Sequence, residues 1–151
     1  MSGLRIPDGD GMKGVVLPWP SPDLSPNSRA HWAARARAAA KARRDATLAC
    51  QAAGIRALPW TGMHVAIEFC PPDNRRRDTD NLLASLNGAL DGVADASGVD
   101  DSRWTYTIAQ GAKVKGGAVI VTVTESTWQP VRQIAAGIAS RIEHQTPEAA
   151  E

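Results

Sequence analysis

The sequence predicts an α+β fold, in which one small mixed β-sheet packs with helices in a single domain. The chain has 151 residues, the size of one ordinary domain. Hydrophobic residues make up 43% of it and charged residues 22%, which is typical of a globular protein rather than a disordered one. Alternating segments and segments with helical spacing follow one another in the order strand, helix, strand, helix, strand, strand, helix.

The first predicted element is a short strand. Residues 1–13 are rich in Gly and Asp and are expected to form a flexible N-terminus. Residues 15–17 then form an apolar run, which is closed by Pro18, Pro20 and Pro22. Prolines at these positions predict a strand that ends in a rigid turn.

An Ala/Arg-rich stretch, residues 28–53, predicts the first helix because it contains good helix formers throughout. Asn27 or Ser28 is expected to be its N-cap, and Gly54 to follow its end. One side of this helix offers apolar residues: Trp32, Ala36, Ala39 and Ala46. Another side is basic and includes Arg35, Lys41 and Arg44.

The second half of the domain predicts three strands around a helix. Residues 64–70 alternate as a half-buried strand, and residues 81–93 carry leucines at helical spacing before a break at Gly98. Residues 104–109 and 119–124 also alternate and are separated by a short turn, so they are expected to form a hairpin.

After residue 125 the pattern becomes helical again. A thin apolar stripe predicts a C-terminal helix in an extension over residues 126–151, and its members are Val131, Ile134, Ile138 and Ile142. The main domain is therefore expected to span residues 14–125.

Charge is unevenly distributed although the net charge is only +1. Residues 28–80 contain ten Lys/Arg and five Asp/Glu, whereas residues 81–151 are net acidic. The overall balance argues against a histone-like protein that coats a polyanion, and the basic block still allows a local surface for an anionic partner.

Several protein classes are excluded by motifs that the sequence lacks. No apolar stretch approaches the length of a membrane span, and the first residues contain no signal peptide, so no membrane partner is expected. Cys50 and Cys70 have no CxxC partner and are expected to be reduced thiols of a cytoplasmic protein. No glycine-rich phosphate loop is present, so no nucleotide cofactor is expected.

The most informative segment is PPDNRRRDTDNLL, residues 71–83. Asp78 and Asp80 are two residues apart at the start of a helix, and an extended backbone there would place both carboxylates on one side. Mg2+ is commonly held by one or two carboxylates together with water and substrate phosphate, and Mn2+ suits similar ligands. Asp100 and Asp101 are the expected source of a third carboxylate.

We expect the chain to return within one subunit, so that Asp100 and Asp101 lie beside the loop that carries Asp78. If it does not return, a second subunit must donate them. Arg75, Arg76 and Arg77 directly precede the acidic pair, and cations there would attract a phosphodiester that the carboxylates repel. Together with the basic side of the first helix, they favour a nucleic acid over a small metabolite.

Other interpretations of the acidic pair can be compared with the sequence. An EF-hand loop counted from Asp78 would need Asp or Asn and then Gly where Leu82 and Leu83 stand, so it is excluded. A purely structural role, in which Asp78 or Asp80 caps the second helix, stays open.

The motifs LPWPSPDLSPN, PPDNRRRDTDN and the later VDD together resemble the RusA family of Holliday junction resolvases over residues 14–125. The resemblance implies a homodimeric, Mg2+-dependent endonuclease that nicks four-way DNA junctions symmetrically. It implies catalytic, metal-binding roles for Asp78, Asp80 and one of Asp100 and Asp101, with Asp101 preferred. Asn81 follows the second aspartate as in the family and joins the arginines as a DNA-binding residue.

The sequence also departs from the family pattern. Ala84 stands where the family has a lysine, four residues after the second aspartate. Two alternative functions therefore stay open: a junction-binding protein with weak or no catalysis, and a nuclease of broader specificity for branched or flap DNA.

Overall fold

The structure, a computed structural model, describes residues 11–127 and contains one mixed sheet of four strands with two long helices. The strands are β1 (Met12–Pro18), β2 (Gly62–Cys70), β3 (Trp104–Gln110) and β4 (Ala118–Ser126). The helices are α1 (Trp32–Ala52) and α2 (Thr79–Ser97), with short 3-10 helices at Pro22–Leu24 and Asp101–Arg103. This single small domain confirms the predicted α+β fold.

The sheet order is β1-β4-β2-β3. β2 and β3 are parallel, in a register that sets Met63 beside Trp104 and Phe69 beside Gln110. β4 runs antiparallel to both β1 and β2. The predicted hairpin of β3 and β4 is therefore wrong, because β2 lies between them and α2 makes the crossover from β2 to β3 that a parallel pair requires.

One face of the sheet forms the core together with the helices. Alternate β2 residues Val65, Ile67 and Phe69 are buried there, as their alternation predicts. α2 contributes Leu86 and Val93, among others, to the same cluster. The core therefore lies between the sheet and the helix pair.

The two helices run parallel and approach closely at two glycines of α2. A Cβ on Gly88 would lie 3.0 Å from the carbonyl oxygen of Ala39, and a Cβ on Gly92 would lie 2.3 Å from that of Arg43. The contact residue on α1 advances from Ala39 to Arg43 as the contact residue on α2 advances from Gly88 to Gly92. Both helices therefore begin at the same end of the molecule. That end is also where the parallel strands β1, β2 and β3 finish.

The helix ends differ partly from the expectation. α1 begins at Trp32 with His31 as its N-cap, several residues after the predicted cap, since the ring Nδ1 of His31 accepts the N–H of Ala33 at 3.2 Å. Trp32, on the apolar side of α1, is 75% exposed in the first turn. Gly54 and Gly98 follow their helices with positive φ, as expected.

Two predicted boundaries shift slightly. β1 begins at Met12, inside the stretch expected to be flexible, and β4 continues to Ser126. The predicted C-terminal helix falls on residues outside the described range. Between residues 11 and 127, no helix combines the length and hydrophobicity needed to cross a membrane.

Candidate functional site

The acidic pair and the arginines lie at the edge where β1, β2 and β3 end. Two loops meet there: residues 19–27 follow β1, and residues 71–78 follow β2. A polar groove runs between them and is lined by residues of both loops and of the first turns of α2, including Trp19, Asn27, Arg75, Arg76, Asp78 and Asn81. Ligand sites of open sheets commonly lie beyond the carboxyl ends of parallel strands, so this groove is the candidate functional site.

Asp78 and Asp80 are both exposed at the N-terminus of α2. Asp78 is the N-cap, and its Oδ1 accepts the N–H of Asp80 at 2.9 Å. The condition of an extended backbone holds for Asp78 alone, because the helix begins at Thr79 and Asp80 lies in its first turn. The capping role proposed as an alternative is present, and the second oxygen of Asp78 and both oxygens of Asp80 carry no hydrogen bond to the described residues.

The three consecutive arginines have different surroundings. Arg77 points inward: its side chain is only 13% exposed, its guanidinium pairs with Asp73 at 2.8 Å, and it lies 5.3 Å from the centre of the Trp19 ring. Arg75 and Arg76 are exposed along the groove. Arg75 and Arg76 are therefore placed to meet an anionic ligand, whereas Arg77 holds the loop in place.

Two residues that the sequence analysis missed organise this loop. Asp73 accepts the backbone N–H of Arg75 at 2.9 Å, and this bond, followed by the pairing with Arg77, holds the pKa of Asp73 below its ordinary value. Gln110, the last residue of β3, donates its Nε2 to the carbonyl of Arg77 at 3.1 Å and to the Thr79 hydroxyl at 3.0 Å. An Asp two residues before an Arg in a proline-bounded loop is a recognisable Asx-turn signal, whereas the role of Gln110 depends on tertiary contacts.

Asp100 and Asp101 lie at the opposite end of the domain. They precede Trp104, which pairs with Met63 near the start of β2, whereas Asp78 follows the end of β2. The 19 residues of α2 separate the two groups, about 28 Å at about 1.5 Å per residue. The expected return within one subunit is therefore wrong, because the crossover helix carries the chain to the other edge of the sheet and the chain enters β3 there.

Asp100 and Asp101 form an exposed turn, which we call the acidic turn (residues 100–103). Asp100 accepts the backbone N–H of Ser102 at 2.9 Å, and hydrogen bonds from Ser102 lower the pKa of Asp100. Asp101 is close enough to Tyr106 for its charge, after burial, to raise the pKa of that phenol. The acidic turn therefore lies on the β3 side of the domain.

The three cations expected on α1 are spread along the helix. Arg35 lies in the first turn, at the end that faces the candidate site. Lys41 pairs with Asp45 one turn later. Arg44 lines a shallow surface pocket together with Asp95 of α2, whose carboxylate pairs with the neighbouring Arg43. Of the three, Arg35 is the one that lies at the same end of the domain as the groove.

A hard divalent cation fits the two aspartates at the start of α2 in part. Asp78 and Asp80 supply exposed carboxylate oxygens, and two such groups suffice for Mg2+ that keeps waters and substrate phosphate as its other ligands. Within residues 11–127, no group of three or more His, Cys, Asp or Glu side chains is placed to hold a metal ion. One chain therefore offers two carboxylates, not the three that were expected.

Comparison with known proteins gives one informative match. A protein of Xylella fastidiosa (strain Temecula1 / ATCC 700964), described as an uncharacterized protein, is 37% identical over 127 residues, which cover 78% of this chain and 80% of that protein. No protein-family model matches the chain. The aligned region thus extends over most of both chains.

Proposed function

We propose that this protein, which belongs to the same family as the Xylella fastidiosa protein, is a Mg2+-dependent endodeoxyribonuclease of the RusA type that nicks four-way DNA junctions. The observation that carries the proposal is that Asp78 lines one groove with exposed Arg75 and Arg76, and that exposed Asp80 lies two residues further on, in the first turn of α2. Carboxylates beside cations are what a metal-dependent reaction on a phosphodiester needs.

The residues of the groove divide into two tasks. Arg75 and Arg76 attract the phosphate backbone, and the backbone N–H groups at the start of α2 favour the same negative charge. Asp78 and Asp80 would hold the metal ion. When bound, Mg2+ supplies a Lewis acid for a phosphoryl oxygen and lowers the pKa of a coordinated water.

The surrounding residues keep these groups in place. Asp73 fixes the backbone of Arg75 and the guanidinium of Arg77, and Gln110 ties the same loop to the end of β3. The arginines and aspartates are therefore positioned before DNA arrives, which reduces the ordering cost of binding. A nuclease of this type acts on DNA in the cytoplasm, which is the compartment we propose.

Asparagine substitutions test the role of the two carboxylates. Asn caps a helix about as well as Asp, so Asp78→Asn retains α2 while it removes a charged ligand. We expect Asp78→Asn and Asp80→Asn each to abolish nicking of a labelled four-way junction in Mg2+ and to leave junction binding intact or stronger, since phosphate repulsion is relieved. EDTA should abolish nicking by the wild type.

Asp91→Asn is the matched control, because Asp91 is an exposed aspartate on the same helix, about three turns after Asp80. It should nick like the wild type. Full nicking by either Asp78→Asn or Asp80→Asn would show that these carboxylates do not carry the reaction. Equal cutting of flaps and four-way junctions would favour the broader branched-DNA specificity.

A second function, junction binding without cleavage, is favoured by two observations. Ala84 provides no cation one turn into α2. Within residues 11–127, no group of three or more His, Cys, Asp or Glu side chains is placed to hold a metal ion. Tight junction binding with no nicking in either Mg2+ or Mn2+ would support this function over the endonuclease.

A further inference from the structure

Trp32 is the most exposed large hydrophobic side chain in the part of the chain that the structure describes. It is 75% exposed in the first turn of α1, against 65% for Leu48, 43% for Tyr106 and 36% for Val16. An indole has a large apolar surface, whose burial normally contributes strongly to folding. The exposed indole of Trp32 contributes little to this fold and is available to a ligand.

The ring of Trp32 is held by its neighbour without being buried. The centre of the His31 ring lies 5.4 Å from that of Trp32, with the two ring planes at 40°. His31 is itself fixed as the N-cap of α1, because its Nδ1 accepts the N–H of Ala33. The indole is therefore presented to solvent from a defined position, which lowers the ordering cost of a contact with a ligand.

The surroundings of Trp32 are cationic. From residue 24 to residue 44 the chain carries six Lys and Arg and no Asp or Glu. Arg29 is exposed just before α1, and Arg35 follows Trp32 by three residues, on the same face of the helix. Neither arginine forms an ion pair with another described residue. The other exposed large hydrophobic residue of α1, Leu48, lies about 24 Å further along the helix, so Trp32 stands among cations.

Trp32 lies at the same end of the domain as the groove, because α1 and α2 both begin there. Asn27 lines the groove and precedes Trp32 by five residues, so at most about 18 Å separates their Cα atoms even in an extended chain. Nucleotides follow one another along a DNA strand at about 3.4 Å of helix axis. A strand bound in the groove therefore reaches Trp32 within about five nucleotides.

We propose that Trp32 stacks on the face of a nucleobase that is exposed at the branch point of DNA bound in the groove. In a continuous duplex, neighbouring bases cover both faces of each base, whereas a branch point interrupts the stack. An aromatic ring among cations suits such a base, since the ring covers the base and the cations bind the adjacent phosphates. Trp32 thus selects branched DNA over a duplex, whereas Arg75 and Arg76 bind the phosphates of either.

This inference rests on the proposed function for its ligand, branched DNA, but not on cleavage. Binding is therefore measured in EDTA, where no nicking occurs, and nicking is measured separately in Mg2+. Trp32→Ala should retain the fold, because Ala is the better helix former and the side chain that it removes is largely exposed.

Trp32→Ala should raise the dissociation constant of a four-way junction about five- to 150-fold, which corresponds to the loss of one base–aromatic stack. Its dissociation constant for a continuous duplex of the same length should change by less than about twofold, and the slope of log K against log salt should stay unchanged, since no phosphate contact is lost. Trp32→Phe retains a ring and should lose much less junction affinity than Trp32→Ala. Leu48→Ala is the matched control, since Leu48 is also exposed on α1 but far from the groove, and it should bind both DNAs like the wild type.

A 5-iodouracil base at the branch point tests the contact directly, because irradiation links this base covalently to an aromatic side chain stacked on it. Trypsin cleaves after Arg29 and Arg35, so the adduct should be found on the peptide of residues 30–35, which contains Trp32. The adduct should be absent from Trp32→Ala and from a duplex that carries the same base.

Junction binding by Trp32→Ala that equals that of the wild type would overturn the inference, as would an equal loss on junction and duplex, or an adduct on another residue. If the wild type nicks the junction while one of these results is obtained, the proposed function stands and only the role of Trp32 fails. If the wild type binds the junction without nicking it, and Trp32→Ala weakens that binding, cleavage fails and the role of Trp32 stands. A wild type that binds no DNA would overturn both.

Discussion

Gly92 lies where α1 and α2 come closest, and its replacement by Ala should destabilise the protein. The added Cβ would lie 2.3 Å from the carbonyl oxygen of Arg43 and 2.9 Å from the Cβ of Ala46. The first neighbour is backbone, so α1 must move by about 1 Å to restore ordinary contact, and overpacking of this kind costs about 1–3 kcal/mol. The higher helix propensity of Ala returns up to about 1 kcal/mol.

We therefore expect Gly92→Ala to lower the free energy of unfolding by about 1–2 kcal/mol, and the melting temperature by about 3 °C for each kcal/mol. Urea unfolding followed by circular dichroism measures it, with an unchanged m-value as a sign that the same structure unfolds. Gly88→Ala is the matched control, because its Cβ would meet the carbonyl oxygen of Ala39 at 3.0 Å, which a small shift relieves. If Gly92→Ala were as stable as Gly88→Ala, the inferred close packing would be refuted.

Two further predictions concern charged residues. Replacing both Arg75 and Arg76 with Ala should weaken junction binding and lower the slope of log K against log salt by about 0.9 for each phosphate that the variant no longer binds. Arg77→Ala should mainly destabilise the loop and leave that slope within about 0.5 of the wild-type value. Filter-binding titrations at several salt concentrations distinguish the two variants, and an unchanged slope in the double variant would contradict the assignment. The hydrogen bond from Arg43 lowers the pKa of Asp95 in the folded protein. The Arg43–Asp95 pair therefore stabilises the fold at pH values above the ordinary carboxyl pKa, and this stabilisation is lost as the pH falls through the lowered pKa of Asp95. Asp95→Asn should therefore reduce stability near neutral pH and flatten its acid dependence below about pH 4, which urea titrations across that range measure; parallel curves for variant and wild type would refute this.

The elements of the fold follow from local sequence patterns, but the strand order does not. The alternation of β2 and the leucines of α2 correctly predict both elements. β3 and β4 were expected to pair because they are neighbours in sequence with a short turn between them. Their burial differs, however: the first six residues of β4 are buried, as in a central strand, whereas most of β3 is exposed, as in an edge strand. The unbroken apolar run at the start of β4 carries that signal in the sequence.

The candidate site was predictable where it depends on neighbouring residues and not where it depends on topology. Asp78, Arg75 and Arg76 line one groove, with Asp80 in the adjoining first turn of α2, because a single loop and helix start carry them. The position of Asp101 depends on the parallel arrangement of β2 and β3, which local patterns do not reveal. The inward position of Arg77 likewise depends on Trp19, a residue nearly sixty positions earlier in the chain.

The parallel arrangement of α1 and α2 also shapes the electric field at the groove. Peptide dipoles add along a helix to about half a positive charge at its N-terminus, and here the two N-termini, capped by His31 and Asp78, are at the same end of the domain. In an antiparallel pair these contributions would largely cancel at each end, but in this fold they reinforce one another. The positive potential around Asp78 and Asp80 thus comes from the backbone as well as from the arginines, and no single side-chain substitution removes it.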